Sequence, residues 1–145
     1  MKPIKNRSKI NTCFRFILMG IIFAISFADP PDWEDNPGAY EFTATISGVI
    51  IFKNGEQMGE DGDMFAAFDE EGNVRGVGLM LLPPFGPNQG TPVFEMQVRS
   101  NSAGDLISFK YYDETTHVIY DIIETYNFVI NDIIGDVVDS EVYNI

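Results

Sequence analysis

Apolar and polar residues alternate with a period of two along much of this chain. From Tyr40 to Phe52 the even positions read Tyr, Phe, Ala, Ile, Gly, Ile and Phe, and the odd ones open with Glu, Thr, Thr and Ser. Alternation of this kind, rich in β-branched and aromatic residues, predicts a strand of an antiparallel sheet with one buried and one wet face. Gly48 predicts a bulge or bend within it, and Asn54-Gly55 a tight reversal after it. A hairpin follows the acidic loop Gly59 to Gly62. Met64 to Phe68 is its first strand, Asp69 to Asn73 its turn with Gly72 free to take positive φ, and Val74 opens a return strand that runs on to Leu82.

Pro83 to Gly90 cannot be a strand. Its length suits a crossing from one sheet to the other, with Phe85 as a plug. Phe94, Met96 and Val98 alternate with Glu95, Gln97 and Arg99, and Leu106 to Tyr112 places Ile107, Phe109 and Tyr111 on one side. After a turn at Asp113 to Thr116 the chain returns as His117 to Ile123. A short strand at Tyr126, Phe128 and Ile130 and a last one from Val137 to Tyr143 complete the pattern. Helical spacing can be forced onto 118–134, but β-branched and aromatic residues dominate there and no cap supports a helix. About eight short strands separated by turn signals predict an all-β fold, an antiparallel β-sandwich, with a β-barrel as the alternative closure.

The first residues read differently. Lys2, Lys5, Arg7, Lys9 and Arg15 precede an apolar run from Phe16 to Ile25, and Ser26-Phe27-Ala28 sets small residues where a signal peptidase reads. The expected organisation is a signal peptide over 1–28 cleaved after Ala28, an extended proline-rich arm over 29–38 and a single sandwich domain over 39–145. Secretion to the cell surface or matrix follows, with no membrane span after cleavage, since the apolar run is too short for a comfortable transmembrane helix. Cys13 lies upstream of the run and does not suit lipid attachment.

Loss of the leader changes the charge. All 22 acidic residues lie beyond Ala28 against four basic ones (Lys53, Arg75, Arg99 and Lys110), a net of −18. Such a field disfavours nucleic acid and anionic membranes and is compatible with calcium. No cysteine remains, so disulfides and thiolate chemistry are excluded and burial alone must hold the domain.

Candidate chemistry is sparse. His117 is the only histidine, and its sequence neighbours offer no nucleophile and orienting acid. Gly76-Val77-Gly78 lies within a strand and is no dinucleotide loop. No catalytic set is expected. Calcium takes hard oxygen ligands on flexible loops, which makes Asp61 and Asp63 in one turn and Asp69 and Glu71 in the next the metal candidates, with Asp132 and Asp136 a weaker pair; no spacing matches an EF-hand. Trp33, Tyr40, Tyr111 and Tyr112 are the candidate stacking surfaces for a glycan, Trp33 being also suited to capping the core. Arg75 suits a structural ion pair closing the hairpin end, in preference to an anion site, given the negative field.

Trp33, Asn36-Pro37, Tyr40, Asp61-Gly-Asp63, Ala66-Ala67-Phe68, Val74-Arg75-Gly76-Val77, Phe94, the run Ile107 to Asp113, Phe128 and Ile134-Gly135 together resemble an uncharacterised extracellular module. It recurs, often in tandem, in large secreted or surface proteins of marine and Bacteroidota-like bacteria and some algae, and its most specific part is the "DxxAAF…RGV" hairpin. The resemblance implies a non-catalytic β-sandwich used in adhesion, matrix assembly or glycan contact. This chain departs from that setting in being a single module behind a leader. The expected role is a secreted structural or adhesive unit, self-assembling into a filament, layer or matrix, with itself, other extracellular proteins or glycans as partners; a carbohydrate-binding module and a secreted hydrolase are the alternatives.

Overall fold

The computed structural model describes residues 29–145; the expected leader over 1–28, its cleavage site and Cys13 lie outside the described residues. The described residues form ten strands: β1 (Phe42–Lys53), β2 (Glu56–Gln57), β3 (Met64–Phe68), β4 (Val74–Val77), β5 (Leu79–Leu81), β6 (Val93–Ser100), β7 (Leu106–Asp113), β8 (Val118–Asn127), β9 (Ile133–Ile134) and β10 (Glu141–Asn144). One sheet runs β10-β1-β6-β5, with β2 and β9 also on β1, and the other runs β4-β3-β7-β8. The fold is all-β, two facing and mainly antiparallel sheets; β9 and β10 lie parallel to β1. Among the described residues no ladder joins the two sheets into a barrel.

Aromatic rings fill the space between them. Phe65 of β3 stacks on Phe109 at 5.5 Å and meets Phe94 of the other sheet edge-on at 5.7 Å. Tyr143 of β10 closes on Phe109 at 5.1 Å. Burial then holds the Tyr143 phenol well above its ordinary value, to about 12, with Glu141 and Glu124 adding to the effect.

Three elements depart from the expected pattern. In β1 the residues that join the core between the sheets are Ala44 and Ile46, then Val49 and Ile51, because the register on β6 shifts between Ile46 and Val49. The bulge at Gly48 therefore exchanges the two faces, and the even positions do not stay inside. Gly48 lies so close to the backbone of Asp136 that an added Cβ would stand 2.2 Å from its carbonyl oxygen. Second, the Pro83 to Gly90 loop does not cross between sheets. It joins β5 to β6 within one sheet, and Phe85 is 80% exposed, not a plug. The crossing occurs between β4 and β5, where the Gly78 amide donates to the Phe65 carbonyl at 2.7 Å and the chain changes sheets. Third, 118–127 is one continuous strand, and 137–140 is not part of the last one.

The arm lies over the domain. Trp33 packs edge-on against Phe68 at 5.3 Å on the outer face of β3, and Asp35 takes a two-pronged ion pair from Arg99 at 2.9 and 2.8 Å.

The crossing is the steric crux. A Cβ at Gly76 would stand 2.4 Å from the Gln97 carbonyl oxygen, a backbone atom that cannot rotate away. Gly76→Ala is expected to lower unfolding free energy by about 2 kcal/mol. Gly38→Ala, whose nearest neighbour would be 3.9 Å away, should stay within about 0.5 kcal/mol of the parent in urea denaturation.

Candidate functional site

The β3–β4 hairpin turn folds on Asp69. Its carboxylate accepts the Asn73 amide at 2.7 Å, the Asn73 side chain at 2.9 Å and the Arg75 Nε at 3.0 Å. Arg75 thus forms the ion pair, 3.0 Å from Asp69, and also donates to Ser100 Oγ at 3.3 Å and to the Arg99 carbonyl at 3.4 Å. Its guanidinium covers the Tyr40 ring at 4.4 Å, while the Tyr40 hydroxyl donates to the Val74 carbonyl. Asp105 closes the group from the β6–β7 turn, 3.9 Å from Arg75 and hydrogen-bonded by Ser100. A cleft of about 230 Å³ opens beside it, lined by Asp69, Glu70, Glu71, Arg75, Asp105 and Leu106. Burial raises the Asp69 pKa, but the hydrogen bonds from Asn73 and Arg75 outweigh it and hold the carboxyl below its ordinary 3.8.

Asp63 occupies the opposite end of β3. Its carboxylate accepts the Tyr111 hydroxyl, the Glu60 amide at 2.7 Å and the Glu114 amide at 2.9 Å. Burial first, and the Asp63 carboxylate second, push the Tyr111 phenol far up. Six residues of extended chain separate Asp63 from Asp69, roughly 20 Å, so the two acidic turns cannot share an ion. Asp61 and Glu71 stand exposed at the turn tips, whereas the oxygens of Asp63 and Asp69 are committed to internal donors. Asp132 and Asp136 likewise bind their own turns, and among the described residues no group of three or more His, Cys, Asp or Glu is arranged to hold a metal ion.

The aromatic candidates do not form a platform. Tyr111 is 0% and Tyr112 1% exposed, which corrects their reading as stacking surfaces. Tyr111 points into the core, and Tyr112, on the other face, is covered by the turn after β7, with its hydroxyl 2.9 Å from His117 Nδ1. Trp33 and Tyr40 are half-buried against Phe68 and Arg75.

One accessible feature was not singled out by sequence. β8 ends its sheet and pairs with β7 on one side only, seven of its ten residues in register and 122–124 at an irregularity. Among the described residues, the backbone of 118–125 makes no hydrogen bond beyond that ladder. Ile119 and Ile123 stand out of its outer face, 48% and 73% exposed. Its inner face is anchored: Lys53 donates to the Tyr120 hydroxyl at 2.6 Å, and Asn144 donates twice to Glu124 at 2.7 Å. The other sheet ends, β4, β5 and β10, are four, three and four residues long. Comparison with family models, curated proteins and solved structures finds no match.

The Asp69 group has a pH signature. Its folded pKa lies below the unfolded one, so its stabilisation is present above about pH 4 and is lost as pH falls through the folded value. Asp69→Asn is expected to cost about 3 kcal/mol at neutral pH and to flatten the fall in urea midpoint between pH 5 and pH 2 relative to the parent.

Proposed function

We propose that this chain is a secreted, non-catalytic structural or adhesive module, a subunit of an extracellular filament, surface layer or matrix. The observation that carries the reading is β8, the longest of the sheet ends, anchored on its inner face and unpaired along its outer edge, with one irregularity at 122–124. Open edges template pairing with another chain. The other sheet ends among the described residues are four residues or fewer, so β8 offers the longest open edge. The polar groups at the two hairpin ends support the same reading, since Asp63, Asp69 and Arg75 are consumed in holding turns. The resemblance of the hairpin to an extracellular module points the same way.

Fractionating cultures of the producing organism tests the role. The protein is expected in the cell-surface or matrix fraction, released by washes that break non-covalent contacts and visible by immunogold labelling on extended material. Recovery as a freely diffusing species, or hydrolysis of a matrix polymer by the purified chain, would overturn it.

A further inference from the structure

A net of 4 − 22 = −18 over residues 29–145 opposes broad contact between copies, so copies joined into a structure need a link that keeps their bodies apart. The arm over 29–38 offers one. Among the described residues its backbone makes no hydrogen bond to the domain, and Pro30, Pro31 and Pro37 lack the donor that a ladder needs. Side chains alone hold it. The Trp33 ring lies edge-on against Phe68, and the Asp35 carboxylate takes both prongs of Arg99. Lys53, Arg75 and Lys110 find their partners within the body, whereas Arg99 takes its carboxylate from the arm. Asn101 clasps the chain just past the arm, donating to the Ala39 carbonyl and accepting the Glu41 amide, which leaves Asn36-Pro37-Gly38 as the pivot.

Resting on the structural role proposed above, we propose that the arm is exchanged between copies of this chain. The 29–35 segment of one copy leaves its own domain and seats on the outer face of β3 in the next, its Trp33 on that copy's Phe68 and its Asp35 on that copy's Arg99. The occupant is defined by the seat it already fills, since every contact made between copies is one the structure shows within a copy. An arm that merely left would uncover Phe68, now 5% exposed, and strand the Arg99 charge, so an empty seat is disfavoured. Residues 36–39, extended, span up to roughly 13 Å, beyond the screening length of about 8 Å at physiological salt. The acidic bodies are thereby linked without being pressed together. A short tether holds its own arm at an effective concentration of roughly 1 mM, so the folded-back form prevails in dilute solution and exchange takes over where copies crowd. Passed one way from copy to copy it builds a filament; returned, it closes a dimer.

The test uses two variants of the whole chain, Asp35→Arg and Arg99→Asp. Each alone sets like charges at its own seat, and a mixture restores the ion pair only between copies, at both kinds of seat. Trp33, the only tryptophan, reports an occupied seat by its emission. The parent is expected to associate as its concentration nears the millimolar range, and Trp33→Ala to raise the concentration required at least about tenfold. The separate variants should emit at longer wavelength than the parent. Their mixture should return to the parent's emission and associate at about a tenfold lower concentration than either variant alone. The chain carrying both substitutions repairs the pair within one copy and should match the parent, which separates loss of the seat from loss of the fold. A mixture that sediments as the sum of its parts, a parent still monomeric in the millimolar range, or an association that Trp33→Ala leaves unchanged would each overturn exchange. Those results leave the extracellular structural role standing, because that role is judged by where the native protein is found.

Discussion

The backbone of β4 passes over that of β6 with no room for a side chain at Gly76, and two residues later the chain has left one sheet for the other. This contact sets the spacing of the sandwich at one side and fixes where Arg75, the residue immediately before it, must lie. From that position the guanidinium reaches Asp69 on its own hairpin and Ser100 on the neighbouring sheet. The ion pair is therefore a product of the crossing, and it ties two sheets that share no ladder. On the opposite side the tie is made by Asn144 and Glu124, again through side chains. The aromatic cluster between these two seams does the larger share of stabilisation, since rings bury the most apolar area per residue.

Electrostatics imposes the second constraint. A net of 4 − 22 = −18 over residues 29–145 is a standing repulsion, and the fold answers it locally by spending each cation on a specific partner. Carboxylates without a cation find backbone amides instead: Asp63 and Asp136 each accept two. This is why acidic turns that look like metal ligands in sequence are turn-forming groups in the structure. It also leaves residues 29–145 with a large excess of negative charge.

Much of the sandwich was legible because strand periodicity is a local property. The faces of β6 and β7 follow directly from Phe94, Met96 and Val98 and from Ile107, Phe109 and Tyr111. An ion pair for Arg75 within its hairpin was legible for the same reason, but its partner was not: Asp69 reads in sequence as a metal ligand and in the structure holds the turn and the guanidinium. What failed depended on distant chain. Nothing near Gly48 reveals that Asp136 will lie against it, and only that approach makes the bulge exchange the faces of β1. Tyr112 looked available because alternation sets it opposite Tyr111; the turn carrying His117 then covers it. Gly76 and Gly78 sit in a stretch whose apolar run reads as one strand to Leu82, and only their close approach to Gln97 and Phe65 shows that the lack of a side chain permits the change of sheet. Exposure of an edge has no sequence mark at all, because it is defined by the strand that is missing beside β8.

The parallel pairing of β1 with β10 carries a consequence for how the molecule comes together. Val49 lies opposite Glu141, so about 90 residues must be gathered before that ladder can close. Chain entropy makes such a closure costlier than a ten-residue hairpin by roughly 2 kcal/mol, and topologies dominated by distant pairs reach their native state in milliseconds to seconds. Until Tyr143 arrives, the ring pair of Phe65 and Phe109 lacks its lid and one flank of β1 stays unsatisfied. The domain is consequently completed late, and any process that needs a pliable chain has that interval in which to act.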